Sequence, residues 1–170
     1  GNYQLTDQME VHKGRIEIAH QDTIVTDPTT DISGGYFLEP EGNTASDGLY
    51  FMSNQGCHIR IHDPKPDVIN KRQLSYIKAY INKFETALYG EDFSHEKRGY
   101  RQYTDTTSLV DWYLVQEISA NADGFWCSYI YKDRASELIH FGPICDFDIC
   151  CNNCSRMGNV TQKLAKQFGY

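Results

Sequence analysis

Much that would identify a function at a glance is missing from these 170 residues. No apolar run approaches the ~20 residues that a helix needs to cross a bilayer, so no membrane span is expected in this segment. No internal repeat or low-complexity tract is present, which excludes a repeat array. No signal peptide is visible, and the chain opens abruptly at Gly1-Asn2-Tyr3. The expectation is therefore a leader removed or lying outside this segment. Basic residues are in deficit, with 16 Lys and Arg against 23 Asp and Glu and a formal net charge of −7. That balance argues against a nucleic-acid or anionic-membrane partner, because phosphate-rich surfaces attract Lys and Arg. The clusters Lys13-Gly14-Arg15, Lys71-Arg72 and Lys97-Arg98 are short and interleaved with acids, and read as solvated surface.

The chemistry-bearing motifs are equally sparse. No glycine-rich phosphate loop of the form G-x-G-x-x-G occurs. Nothing assembles a Ser or Cys with a His and an acid. Cys151 and Cys154 form a lone C-x-x-C, and a structural zinc site needs a second pair, for which only His140 lies near. The six cysteines (Cys57, Cys127, Cys145, Cys150, Cys151 and Cys154) suit disulfides or buried thiols better, and leave the redox compartment open.

What is present is ordinary globular material, 40% apolar and 23% charged. Its length fits one domain or a piece of a larger one, here read as residues 1–170, with a strand-rich part over 1–68 and helices plus a hairpin over 69–170. Residues 14–20 alternate and predict a strand, followed by a polar loop over 21–33. Gly34-Gly35 precede Tyr36–Glu39, a second strand closed by Pro40. Residues 41–48 read as a turn, and Leu49–Met52 with Cys57–His62 as a hairpin around Asn54-Gln55-Gly56. Leu74, Ile77, Ile81, Phe84 and Leu88 put one apolar stripe on a helix ended by Gly90. A second helix starts at an Asp105 or Thr106 cap and runs through Leu109, Val110, Tyr113, Leu114 and Ile118 to finish near Ala120–Asp123, its stripe expected in the core.

The most informative stretch follows. Asn121-Ala122-Asp123 and Asp146-Phe147-Asp148 flank an aromatic, β-branched run (124–131), a polar turn (132–136) and a second apolar run (138–142), which is a hairpin pattern. Asp123 and Asp146 lie equally far from its centre at Arg134-Ala135. In an antiparallel pair the start of one strand lies beside the end of the other. Three carboxylates and an amide should therefore meet at one end of the hairpin. Such oxygen ligands suit Mg²⁺ or another hard cation, and with one carboxylate left as a base they suit phosphoryl transfer.

Taken together these segments resemble the CotH kinase family, atypical protein kinases named for a spore-coat protein. The resemblance rests on Tyr3–Gln8, Arg15–Ile18, Gly34–Glu39, Gln73–Leu88, Leu109–Glu117, Asn121–Asp123, Tyr129–Arg134 and Gly142–Asp148, in shared order and spacing. It implies an α+β, protein-kinase-like fold of antiparallel strands plus helices, with an incomplete small lobe. It also implies transfer of the ATP γ-phosphate, with Mg²⁺, to Ser or Thr of an extracytoplasmic, cell-surface or spore-coat protein. In it Asp146, with Asp148 and Asn121, holds metal; Asp123 is the catalytic aspartate; and Arg60, Glu39 and Asn121 attend the nucleotide.

Two departures stand out. Arg60 occupies the place of a phosphate-contacting lysine, and its fork binds phosphate with different geometry. Cys145 stands where the family usually has Trp. Each site residue also has an ordinary reading: Asp146 and Asp148 as a turn or N-cap, Asp123 and Asn121 as helix-end residues, and Glu39 as a solvent-facing strand carboxylate, against which stands a salt bridge to Arg60 that would mimic the lysine–glutamate clamp of kinases. Glu117, one turn before Asn121, is expected to support the site rather than react. The rival function is a non-catalytic surface or coat-assembly module that binds a protein partner with its tyrosine-rich surface. A carbohydrate surface built on Trp112 and Trp126 is a third class, although the hairpin and helix patterns place those aromatics more readily in a core.

Overall fold

The computed structural model describes residues 9–21, 24–41, 48–151 and 153. Among them the architecture is α+β: strands β1 (Tyr36–Glu41), β2 (Leu49–Met52) and β3 (His58–Asp63), helix α1 (Lys71–Tyr89), helix α2 (Thr106–Ser119), then β4 (Ile130–Lys132) and β5 (Ile139–Phe141). The strands form one five-stranded sheet in the order β2-β3-β1-β4-β5, antiparallel throughout.

Period-two alternation sorts the residues of this sheet between its faces. Leu38, Ile59, Ile61, Ile130 and Ile139 point to one face and pack on Ile77, Tyr80 and Ile81 of α1. Phe37 points to the other and packs on Ile16 and Ile18. Tyr36, Phe37 and Leu38 are all fully buried, as a central strand covered on both sides requires. Helix α1 begins with a capping box. Asn70 Oδ1 accepts from Gln73 N at 3.0 Å, and Gln73 Oε1 accepts from Asn70 N at 2.7 Å. Gln73 Nε2 then donates to Gln21 Oε1 at 2.6 Å, and Gln21 Nε2 to Gly34 O at 2.8 Å, so the buried amides form a closed relay. The glycine pair is required by close approach. A Cβ at Gly34 would collide with the Asp133–Arg134 backbone, and one at Gly35, where φ is +89°, with Ala19 O.

The β2–β3 hairpin, the 21–33 loop in its described part, α1 and the Asp105 cap of α2 follow the sequence reading. Residues 14–20 do not form a strand. Ile16 and Ile18 are buried, but the segment makes only a single bridge, Val11 to Ile16. Alternation reported its burial, and no neighbouring strand completes a ladder. Pro40 does not close β1, which continues to Glu41 with Pro40 opposite Ile59. Gly90 ends α1 at φ −77°, without the left-handed turn; a Cβ there would approach Thr86 O. The first strand of the 124–142 hairpin is shorter than its composition suggested, because a 3₁₀ turn (Asp123–Phe125) takes its beginning. The stripe of α2 is not core among the described residues: Val110, Leu114 and Ile118 are exposed, Ile118 by 84%. Trp112 holds the helix instead, against Phe125 and Phe141. A helix apolar on several sides gives periodicity no single face to choose. The Tyr3–Gln8 motif, the centre of the 41–48 turn and Cys154 lie outside the described residues. Among the described residues no helix is long and apolar enough to cross a membrane.

Candidate functional site

The site begins where α2 stops. Ala120 adopts a left-handed conformation (φ +53°) and its N–H returns to the last carbonyls of the helix. Asn121 N donates to Gln116 O at 2.9 Å, and the chain then enters the 3₁₀ turn that carries Asp123. Asp123 O accepts from both Trp126 N (2.8 Å) and Cys127 N (2.9 Å), which locks the turn. A Cβ at Gly124 would collide with the Gln116 side-chain amide, so any larger residue would displace the group that holds Asn121.

Asn121 is fully buried. Its Nδ2 donates to Gln116 Oε1 at 2.9 Å and to Cys145 O at 3.2 Å. The second bond joins the two ends of the hairpin, because Cys145 immediately precedes Asp146. Asn121 Oδ1 is buried without a hydrogen-bond partner, an orphaned acceptor at this junction. A Cys127–Cys145 disulfide, with Cα atoms 6.5 Å apart, makes the same junction covalently. Beyond it, Asp146 sits at φ +58°, a backbone region more open to Asp and Asn than to most residues. Farther on, Cys151 N donates to Ser119 O at 2.6 Å and returns the chain to the end of α2.

Asp146 responds to the other two carboxylates. Asp146 is raised above the usual aspartate range, first by partial desolvation, then by the negative charges of Asp148 and Asp123, and by a hydrogen bond with the Asp148 carboxyl. Asp146 and Asp148 are exposed and Asp123 is half-buried. Among the described residues no three His, Cys, Asp or Glu side chains converge into a self-sufficient metal cage. Mg²⁺ does not require one: it is commonly held by one or two carboxylates plus substrate phosphates and water. The exposed carboxylates of Asp146 and Asp148 and the orphaned Asn121 oxygen are each donors of the type such a cation takes.

The sheet contributes a second group of charges. Glu39 and Arg60 stand opposite each other in register, yet they do not pair. Glu39 Oε2 lies 2.6 Å from His62 Nε2, and Arg60 Nε 2.6 Å from Glu41 Oε1, the latter as a charge contact without an aligned hydrogen bond. The expected Glu39–Arg60 bridge is thus replaced by two diagonal pairs, each slipped by two residues, a spacing that long side chains on one sheet face reach. Tyr129 connects the two groups. Its phenol is pushed up by burial, then by Glu39; Arg60 opposes the shift, while Glu41 and Asp146 add to it. Its ring packs between Phe37 and His62.

The structure therefore brings Asp123, Asp146 and Asp148 within electrostatic reach, ties Asn121 to the same junction, and sets Glu39 and Arg60 on the sheet face that leads to Tyr129 and Asp146. The sequence reading missed His62 and Glu41, although both alternate in phase with Arg60 and Glu39. It also missed Tyr129 and the Cys127–Cys145 pairing. Gln116, rather than Glu117, supports Asn121, while Glu117 bonds the Tyr113 phenol.

A family model described as CotH kinase protein matches residues 3–169. No curated protein and no solved structure gives a significant match.

Proposed function

The chain belongs to the CotH kinase family, and from that premise we propose that it transfers the γ-phosphate of ATP to a Ser or Thr hydroxyl of an extracytoplasmic or coat protein, on a kinase-like arrangement of sheet and helices. The observation that carries this reading is the junction at the open end of the β4–β5 hairpin, where the Cys127–Cys145 disulfide and the bond from Asn121 Nδ2 to Cys145 O join the segments that carry Asp123 and Asp146. Like charges gathered there are relieved by a cation.

Asp146 and Asp148, with Asn121 through its Oδ1, would hold Mg²⁺, which when bound neutralises charge on the phosphate oxygens. Asp123 accepts a hydrogen bond from the acceptor hydroxyl and takes its proton as that oxygen bonds to phosphorus and ADP departs. Arg60 exchanges part of its contact with Glu41 for the nucleotide phosphates, and Glu39 stays with His62. A disulfide beside the site supports an oxidising, extracytoplasmic setting.

The test is Mg²⁺-dependent ATP binding by calorimetry. Wild type should bind, and Asp146→Asn, which keeps the shape and removes a charge, should not. Binding unchanged in that variant would remove Asp146 from the ligand set. One alternative has observations of its own. Arg60 and Glu39 are each paired elsewhere, and α2 turns Val110, Leu114 and Ile118 outward, as a retired enzyme that binds a protein partner would. A folded wild type with no detectable ATP binding selects that non-catalytic module.

A further inference from the structure

We propose that the Cys127–Cys145 disulfide is a positioning staple for this site, so that the approach of Asp146 to Asp123, and with it the binding of Mg²⁺-ATP, depends on the oxidised state of that bond. The inference rests on the kinase reading for its ATP consequence, and on geometry alone for the staple.

The ladder that joins the two halves is short. β4 and β5 pair over three residues each, and the pair nearest the site is Ile130 with Phe141. One further backbone bond, Gly142 N to Tyr129 O at 2.8 Å, extends it. Past that point, Cys127 and Ser128 on one side and Pro143 to Cys145 on the other lie outside the strands. Across this gap the bonds seen are the disulfide and the hydrogen bond from Asn121 Nδ2 to Cys145 O, at 3.2 Å. Each cysteine is tied through the backbone to one aspartate: Cys127 N donates to the Asp123 backbone carbonyl at 2.9 Å, and Cys145 is the residue before Asp146. Negative charges on Asp146, Asp148 and Asp123 push the halves apart, and the covalent bond opposes that push. Cys145, the position at which the sequence departs from its family's usual Trp, thereby acquires a role.

The chemistry is thiol–disulfide exchange with an external dithiol. One thiolate of the reagent attacks a sulfur of the Cys127–Cys145 bond to form a mixed disulfide, and its second thiol displaces that bond. Two electrons and two protons pass from the dithiol, which leaves as a disulfide, to Cys127 and Cys145, which become thiols. Cys57, Cys150 and Cys151 are free already and do not change.

The experiment compares oxidised wild type, dithiol-treated wild type and the Cys127→Ser/Cys145→Ser double variant by hydrogen exchange and by Mg²⁺-ATP titration. Reduction or the double substitution should accelerate exchange in 121–127 and 142–148 while α1 and β1 stay protected. It should also weaken Mg²⁺-ATP binding by about ten-fold or more, the scale of one lost contact to a charged group. Unchanged exchange in those two segments overturns the proposal, as does acceleration spread through α1 and β1, which marks a general structural bond. Affinity unchanged by reduction overturns it too. If oxidised wild type binds no Mg²⁺-ATP, the kinase reading fails with its ATP clause, and the exchange pattern still decides the staple.

Discussion

The two ends of this molecule are held by different means. Where α1 lies on the sheet, ten buried apolar residues interlock, and the buried amides of Gln73 and Gln21 are paired in sequence with Asn70 and Gly34. Where α2 gives way to the β4–β5 hairpin, the apolar contacts thin out. A few hydrogen bonds and one disulfide join the segments that carry Asp123 and Asp146, the charges of Asp123 and Asp148 bear on Asp146, and the Asn121 side-chain oxygen is buried there without a partner. The first end is held mainly by apolar packing, although Glu85 Oε2 on α1 is also buried there without a partner. The second gathers acidic charge around Asp146, and perturbed titratable groups of that kind cluster at functional sites.

The comparison can be broken most severely at the first end. Ile77 is fully buried under the sheet, and Ile77→Ala should cost about 2–5 kcal/mol of unfolding free energy, read from the urea midpoint. At the site end the large effects should fall on binding. Arg60→Ala should weaken ATP binding by about 1.5–3 kcal/mol, and Arg60→Lys should recover part of it, because the charge remains and the fork is lost. If both variants titrate like wild type, Arg60 is only the partner of Glu41. Asn70→Ala removes the α1 cap and should lower stability by about 1 kcal/mol without altering ATP affinity.

The smallest effect has the most telling sign. A carboxyl raised on folding holds its proton more tightly in the folded state. Its stabilising contribution is complete below the unfolded value of about 4 and is lost as pH rises through the folded one. Asp146→Asn mimics the protonated form and suits the same backbone region. Its melting temperature should match wild type in acid and equal or slightly exceed it at neutral pH, even as Mg²⁺-ATP binding disappears. A variant less stable than wild type at neutral pH would place Asp146 among the stabilising residues.

Legibility in sequence followed the same division. α1 could be read whole, since its apolar spacing agreed with its burial and the β2–β3 turn carried its own glycine. The hairpin symmetry placed Asp123 near Asp146 because antiparallel pairing is a local rule. Alternation at Ile16 and Ile18 misled, because burial against Phe37 needs no ladder. The partners of Glu39 and Arg60 were illegible because a diagonal contact depends on side-chain reach rather than register. The pairing of Cys127 with Cys145 was one of several that the cysteines allowed, and only the fold chooses among them.

The placing of the two tryptophans gives the molecule its own optical labels. Trp112, on α2, is wedged against Phe125 and Phe141, whereas Trp126 is half exposed, bonded through its backbone to Asp123 and followed directly by the disulfide-bonded Cys127. An indole in apolar packing emits to the blue of one facing water, and a neighbouring disulfide quenches the excited ring. The two signals thus separate by colour and by brightness. Light from Trp126 reports the state of the site, light from Trp112 reports the seating of the helix, and a Trp126→Phe variant leaves only the second.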